Sequence, residues 1–331
     1  MKIFVSRKIP GTALDKLTSS NNEVQISEFD RPLTAEEFLE RAKGVDAILS
    51  LLTDKIDGEV VDAIGPQLKI VSNYAVGYDN VKVDELTDRG VVVTNTPSDE
   101  INEAVAEHTW ALILSLARRI VEADEATRRG AYRGWEPSIF LGVSLIGKTL
   151  GIVGLGRIGS MVARRSKGYE MRVLYNKRSR DEKVEKELGI EYADLDKLLA
   201  ESDFVTIHLP LTDQTRQMFS KEALLRMKEG SYLINTARGP IVNEQDLADA
   251  LRSGHLAGAA LDVFENEPNI NAELVGMENV VLTPHIASAT WEAREKYGQL
   301  AVNAILQTLS GEQPPNIVNK EVWPPAWLAS G

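Results

Sequence analysis

The chain has 331 residues, of which 43% are apolar and 26% are charged, and its formal net charge is −12. This length suffices for two domains with separate cores. The acidic balance argues against nucleic acid or an anionic membrane as a partner, because both select a basic surface. The absence of cysteine excludes disulfides, thiolate catalysis and cysteine-ligated metals.

No signal peptide is predicted in Met1–Pro10, because this stretch carries three cations and no long apolar core. No uncharged apolar run approaches the roughly 18 residues that a membrane span requires. We therefore expect a soluble, cytoplasmic protein with no membrane or nucleic-acid partner, and we predict no metal site.

The first hundred residues alternate apolar runs with helical patterns. One helix begins with the capping box Thr34-Ala35-Glu36-Glu37 and stops at Gly44. The predicted strands are KIFVS, EVQISEF, VDAILSLL, LKIVSNYAV and VVVTN. Strands without polar alternation that are separated by helices are typical of a parallel sheet covered on both faces.

The remainder of the chain has a similar plan after a different beginning. A long helix is predicted over Asn102–Ile120, and an arm rich in glycine and aromatic residues follows it. A last helix is predicted from Ala287 to about Leu309. Between them the predicted strands lie in KTLGIVG, MRVLY, FVTIHLP, SYLINTA, LAGAALDVF and NVVLTPH. The predicted fold class is α/β, with two doubly wound, Rossmann-like parallel sheets.

A glycine motif follows the first strand of this second series. Gly154, Gly156 and Gly159 form GxGxxG between an apolar strand and a helix, and another strand follows about twenty residues later. In a dinucleotide site the first glycine makes the tight turn, the second lets the backbone approach a pyrophosphate, and the third packs helix against strand. The alternative is a purely structural glycine turn.

The next strand ends in YNKRSR, where NAD-binding proteins of this fold carry an acid for the ribose hydroxyls. That position is Asn176, followed by Lys177, Arg178 and Ser179. These cations and the hydroxyl suit a 2′-phosphate, so NADP(H) is favoured and NAD(H) remains possible. The alternative is a solvated loop in an enzyme that accepts both cofactors.

Charged side chains follow three later strands. Arg238 follows one strand, Asp262, Glu265 and Glu267 follow the next, and His285 follows the last. Strand carboxyl ends face the ligand crevice of a doubly wound sheet. An arginine to hold a carboxylate, a histidine to transfer a proton and a carboxylate to orient that histidine are what reduction of a 2-oxo acid needs.

The chain resembles the D-isomer-specific 2-hydroxyacid dehydrogenase family over nearly its whole length, and within it the archaeal glyoxylate/hydroxypyruvate reductases. The motifs that carry the resemblance are YAVGYDN, VTNTP, AEHTWALILSLARR, GIVGLGRIG, HLPLT, INTARGPIVNE, AGAALDVFENEP and LTPHIASAT. The resemblance implies that Arg238 binds the substrate, that His285 is the general acid/base, and that Glu267 is its partner; Glu265 is the alternative partner.

Further site residues are implied by the same resemblance. The backbone amides of Val76 and Gly77 are expected to bind the substrate carboxylate, and Asp262 to meet the nicotinamide amide. His108 is assigned a structural role from its place on the long helix, independently of the resemblance. The residues expected to line the cofactor are Gly154, Leu155, Gly156, Arg157, Ile158, Gly159, Asn176, Lys177, Arg178, Ser179, Thr236, Ala237, Arg238, Asp262, His285, Ile286 and Ala287.

The resemblance also implies an interrupted domain order and a dimer. Residues 1–98 with 287–331 are expected to form the substrate domain, and residues 99–286 the dinucleotide domain. A helix and arm at about 100–145, including Trp135, are expected to make a homodimer interface. The predicted activity is reduction of glyoxylate, and of hydroxypyruvate, by NAD(P)H. The alternatives are a phosphoglycerate or D-lactate dehydrogenase, or a non-catalytic corepressor-like protein that senses dinucleotides.

Overall fold

The computed structural model describes residues 1–330 and divides into two compact units. One unit contains Met1–Ile101 and the chain from Ala289 onward, and the other contains Asn102–Ser288. Each is built on a parallel sheet with helices between the strands. The predicted fold class, with two Rossmann-like domains of which one is inserted into the other, is confirmed.

The first unit has a five-stranded sheet in the order β2-β1-β3-β4-β5. Its strands are β1 (Lys2–Val5), β2 (Glu23–Ile26), β3 (Ala47–Ser50), β4 (Ile70–Asn73) and β5 (Val92–Thr94). Its helices are α1 (Ala13–Thr18), α2 (Ala35–Ala42), α3 (Gly58–Ile64), α4 (Val83–Thr87) and, late in the chain, α13 (Trp291–Leu309). The inner strands β3 and β4 are buried at every residue, as their unbroken apolar sequences predict.

The second unit has a seven-stranded sheet in the order β12-β11-β10-β9-β6-β7-β8. Its strands are β6 (Thr149–Val153), β7 (Arg172–Asn176), β8 (Glu191–Tyr192), β9 (Phe204–Ile207), β10 (Ser231–Asn235), β11 (Leu256–Leu261) and β12 (Val280–Leu282). The strand order reverses between β6 and β9. The carboxyl ends of these strands are where sheets of this type bind ligands.

Eight helices complete this part of the chain. They are α5 (Asp99–Ala117), α6 (Ile120–Arg128), α7 (Arg157–Ser166), α8 (Glu182–Leu188), α9 (Leu195–Glu201), α10 (Lys221–Arg226), α11 (Glu244–Arg252) and α12 (Ala272–Val275). Trp110 fixes α5 in the core, because its indole donates to the Val162 carbonyl at 3.1 Å and its ring stacks on Tyr169. Within residues 1–330 no helix has both the length and the apolar character needed to span a bilayer.

Three predicted helix boundaries are wrong. The long helix begins at Asp99 rather than Asn102. The long helix ends at Ala117 rather than Ile120, because Arg119 adopts a left-handed φ of 51° and the Val143 amide takes the Ala117 carbonyl. A separate helix, α6, then begins. The last helix begins at Trp291 rather than Ala287, because the Ala287 amide is bound by the Asp262 carboxylate and Thr290 provides the N-cap. The short strand β8 was not predicted.

Candidate active site

The glycine turn after β6 has the geometry that its sequence predicts. Gly154 has a φ of 101°, and a side chain there would collide with the His208 carbonyl. A side chain at Gly159 would collide with the Gly154 carbonyl. At Gly156, which precedes α7, a Cβ would meet no protein atom within 4 Å. Packing therefore explains two of the glycines, while the third leaves backbone open to a ligand such as a pyrophosphate.

The loop after β7 carries the predicted cations. The Lys177 ammonium lies 3.4 Å from the Asp181 carboxylate, and Arg178 is exposed. Arg180 forms a bidentate pair with Glu185, at 2.9 and 2.8 Å. The Asn176 amide donates to the Ala193 carbonyl at 3.0 Å. The loop thus offers two cations, of which Lys177 is paired with Asp181, a carboxylate absent from the predicted site.

The buried Tyr175 holds this loop in place through two hydrogen bonds of its hydroxyl. Its ring is fully buried, its hydroxyl donates to Glu185 at 2.7 Å, and it accepts from the Asp181 amide at 2.9 Å. Burial, reinforced by the nearby Glu185, raises the pKa of Tyr175 to about 12, so the hydroxyl keeps its proton at neutral pH.

The turn after β10 carries Arg238. Asn235 spans this turn, because its carbonyl oxygen accepts from the Ala237 amide at 3.0 Å and its amide group donates to the Arg238 carbonyl at 2.9 Å. Gly239 follows, and a side chain there would collide with the Phe264 backbone. The Arg238 turn is therefore packed directly against the segment that follows β11.

His285 and Glu267 form a pair at the neighbouring strand ends. Nδ1 of His285 lies 3.0 Å from Oε2 of Glu267, and Oε1 of Glu267 accepts from the Phe264 amide at 3.0 Å. Burial raises the pKa of Glu267, but the bond from His285 and the charge of Arg238 outweigh this and lower it. Glu265 is bonded instead to Gln217 and to the backbone of Glu244, away from His285.

Asp262 supports the loop that carries His285. Its side chain is fully buried, and its carboxylate accepts from the Thr283 hydroxyl at 2.6 Å and from the Ile286 and Ala287 amides at 2.8 Å. Burial raises its pKa, but these bonds and one from His108 lower it overall. A carboxylate so occupied has no exposed surface in this structure, and its contact with a nicotinamide amide stays a prediction.

Known proteins share these features with the chain. Residues 110–287 match the family model described as the NAD binding domain of D-isomer specific 2-hydroxyacid dehydrogenase. The chain is 48% identical to a glyoxylate reductase of Pyrococcus furiosus, covering 97% of this chain and 96% of that protein. It belongs to the D-isomer specific 2-hydroxyacid dehydrogenase family.

Solved structures support this family assignment. A crystal structure of a protein from Thermus thermophilus matches with a TM-score of 0.90 and 41% identity, covering 96% of this chain and 100% of that one. An NADPH-dependent glyoxylate/hydroxypyruvate reductase from Sinorhizobium meliloti, crystallised with NADP and malonate, matches with a TM-score of 0.83 and 34% identity over 96% of both chains. As a member of this dehydrogenase family, the protein is an oxidoreductase with a dinucleotide-binding domain.

The matched region of the dehydrogenase includes every predicted site residue except Val76 and Gly77. These two follow β4 in the first unit. Asn95 donates to the Val76 carbonyl at 2.7 Å and Asn73 donates to the Gly77 carbonyl at 3.0 Å, so both carbonyls are held by side chains. Among residues 1–330, no protein acceptor takes the Val76 or Gly77 amide. This turn therefore presents donors of the kind that bind a carboxylate.

Of the other histidines of the dehydrogenase, His208 lies at the end of β9. Its Nε2 is 3.0 Å from the Thr206 hydroxyl. Burial lowers the pKa of His208 to about 3, so the ring is neutral at physiological pH.

The supporting residues Asn235, Asn73 and Asp181 were missed in the sequence. The one available signal was an asparagine that ends an apolar strand, at Asn235 and at Asn73.

Proposed function

We propose that the protein reduces glyoxylate to glycolate, and hydroxypyruvate to glycerate, with NADPH as the favoured reductant. The observation that carries this proposal is the His285–Glu267 pair at 3.0 Å beside the Arg238 turn, at strand ends of a sheet that also has the glycine turn. The names of the Pyrococcus and Sinorhizobium proteins support the choice of substrate.

Each of the three residues has a separate task in this reaction. Arg238 holds the substrate carboxylate and polarises the adjacent carbonyl through its paired donors. His285 gives a proton from Nε2 to the carbonyl oxygen, since Nδ1 is bonded to Glu267. Glu267 keeps the imidazole oriented and favours its protonated form. When bound, the reduced nicotinamide supplies the hydride that adds to the carbonyl carbon.

The protein's contribution to cofactor binding lies in four segments. The turn Gly154–Gly159 receives the pyrophosphate, and the ends of β10 and β12 line the nicotinamide side. Lys177, Arg178 and Ser179 hold the 2′-phosphate of NADP(H). Because Asp181 offsets part of the charge of Lys177, Arg178 contributes most to this preference, and NAD(H) is accepted less well.

The Val76 and Gly77 amides bind the substrate carboxylate. With both neighbouring carbonyls held by asparagines, these amides are available as donors to an anion. The turn residues Val76 and Gly77 carry no large apolar side chain, which suits a small 2-oxo acid such as glyoxylate.

The protein forms a homodimer through the arm that follows α6. Trp135, Leu141 and Tyr132 are 83%, 67% and 63% exposed, and apolar side chains so exposed favour burial against a second copy. Light scattering is expected to give twice the chain mass, and a monomer at micromolar concentration would contradict it. A cytoplasmic location stays a prediction.

A spectrophotometric screen tests the proposed activity. NADPH and NADH oxidation are measured with glyoxylate, hydroxypyruvate, pyruvate and phosphohydroxypyruvate. The highest kcat/KM is expected for glyoxylate with NADPH. A preference for phosphohydroxypyruvate or pyruvate would favour a phosphoglycerate or D-lactate dehydrogenase. Protein that binds NADPH without oxidising it in the presence of any of these acids would favour the corepressor-like alternative.

A further inference from the structure

Two consecutive residues on α5 contact the two loops that carry the proposed catalytic side chains. The Thr109 hydroxyl lies 3.0 Å from the Thr236 hydroxyl, and Nε2 of His108 lies 3.1 Å from the Thr283 hydroxyl. Thr236 is two residues before Arg238, and Thr283 is two residues before His285. One helix therefore holds both loops at corresponding positions.

The hydrogen-bond network fixes the direction of these bonds. Thr109 uses its single proton to donate to the Val105 carbonyl at 2.8 Å, so Thr236 must be the donor to Thr109. Both threonine side chains are buried. Loss of the Thr109 hydroxyl would leave the Thr236 hydroxyl without its acceptor at the start of the Arg238 turn.

The same reasoning assigns a proton to His108. Thr283 donates its proton to Asp262 at 2.6 Å, so it accepts from Nε2 of His108. That nitrogen is also 3.5 Å from the fully buried Asp262 carboxylate. His108 is therefore the donor from outside the loop that faces this buried negative charge.

The loop after β12 needs such support because of its backbone conformation. His285 has a φ of 54°, in the left-handed region that non-glycine residues adopt only when neighbouring structure holds them. The Asp262 carbonyl accepts from the His285 amide at 2.8 Å, and its carboxylate holds the next two amides. Any change at Asp262 or Thr283 is thus transmitted to the direction of the His285 ring.

We propose that His108 and Thr109 are positioning residues, His108 for the proton donor His285 and Thr109 for the carboxylate ligand Arg238. His108, through Thr283 and Asp262, maintains the backbone that aims His285. Thr109, through Thr236, fixes the turn that presents Arg238. His108 thus has more than the structural role that the sequence analysis assigned to it. This inference rests on the proposed roles of Arg238 and His285.

Two pairs of variants test the proposal by kinetics with glyoxylate and NADPH. His108→Leu removes the donor, whereas His108→Gln keeps an N–H. Thr109→Val removes the hydroxyl at nearly constant volume, whereas Thr109→Ser keeps it.

His108→Leu should lower kcat about tenfold with little change in KM, because the acid is misplaced. Thr109→Val should raise the KM for glyoxylate more than it lowers kcat, because the carboxylate anchor is misplaced. Each conservative variant should restore most of the loss.

A structural measurement makes the test independent of activity. Crystal structures of His108→Leu and Thr109→Val should show a displaced His285 ring and a displaced Arg238 turn, respectively. Variants that lose thermal stability but keep wild-type kcat and KM would overturn the inference. Variant structures in which the φ of His285, its contact to Glu267 and the Arg238 turn are all unchanged would also overturn it. A wild-type protein without activity on glyoxylate would refute the proposed function instead, and the two structures would still decide the positioning role.

Discussion

Two loops at the carboxyl edge of the seven-stranded sheet are held in different ways. The loop after β12, which carries His285, is tied to the fully buried Asp262 by the Thr283 hydroxyl and by three backbone amides. The loop after β7 carries a half-exposed Lys177, which pairs with the Asp181 carboxylate, and an exposed Arg178. Both loops rest on a buried group, but the second contacts its buried Tyr175 only through Glu185 and the Asp181 amide, and its cations face solvent.

This difference has energetic consequences. Leaving a buried polar group without its partner costs about 1–3 kcal/mol, whereas an exposed ion pair contributes about 0–1 kcal/mol. Changes around His285 should therefore be severe and insensitive to salt, while changes around Arg178 should be graded and weakened by salt. The proposed proton donor is thus held by buried bonds, whereas the cations proposed to set cofactor preference lie at the surface.

The largest effect is expected at His285, the proposed acid. His285→Ala should lower kcat for glyoxylate reduction by about 10²-fold or more, because no other side chain replaces the lost proton donor. His255→Ala provides a matched control, since this histidine lies before β11 and outside the site. Equal rates for wild type and His285→Ala at saturating NADPH would remove His285 from the mechanism.

The next effect concerns the pH dependence of reduction. The pKa of Glu267 is lowered, so this group is ionised across the assay range and favours the protonated imidazole that reduction consumes. Glu267→Gln removes the charge at nearly constant size. The pH at which kcat for reduction is halved on the alkaline side should therefore fall by about one unit. Glu265→Gln should leave that pH unchanged, and a shift in the control alone would exchange the two assignments.

A smaller and more selective effect is expected in the exposed loop. The double substitution of Lys177 and Arg178 by alanine should raise the KM for NADPH about tenfold and leave the KM for NADH within about twofold, because only NADPH carries the 2′-phosphate. Lys183→Ala removes a nearby exposed cation on α8 and serves as the control. An equal rise for both cofactors would indicate a general loss of binding, contrary to the assignment.

The smallest effect is expected in the first unit, far along the chain from either loop. Thr34 accepts from the Glu37 amide in a complete capping box at the start of α2. Thr34→Ala should lower the free energy of unfolding by about 1 kcal/mol and leave kcat unchanged. Denaturant unfolding followed by circular dichroism measures this change, with Thr18→Ala at the end of α1 for comparison. A fall in kcat of Thr34→Ala would contradict the assignment of a purely local role.

Local sequence patterns predicted most strands, the glycine turn and the three charged strand ends, because they depend on period, turn chemistry and topology. The end of α5 escaped prediction, because it depends on a hydrogen bond from Val143, which is distant in sequence. Asp181 and Asn235 were missed although their partners lie within four residues, because the sequence does not show how these turns fold. Their roles depend on the turn conformation, which many sequences of this composition do not adopt.

The backbone conformation of His285 is the clearest example of a feature that the sequence alone does not predict. Nothing in LTPHIASAT indicates that this residue adopts a left-handed backbone, and Thr283 and His108 are ordinary residues in the sequence. The resemblance to the dehydrogenase family supplied the pairing with Glu267, and the structure supplies the network behind it. Chemistry-bearing residues were therefore easier to predict than the residues that hold them.

A crystal structure of the protein with NADP⁺ and oxamate, an unreactive analogue of a small 2-oxo acid, tests the central claim most directly. We predict that Nε2 of His285 lies within about 3.2 Å of the analogue's amide carbonyl oxygen and that Arg238 contacts its carboxylate, next to C4 of the nicotinamide. A complex in which the analogue is bound at C4 while His285 and Arg238 point away from it would contradict the account.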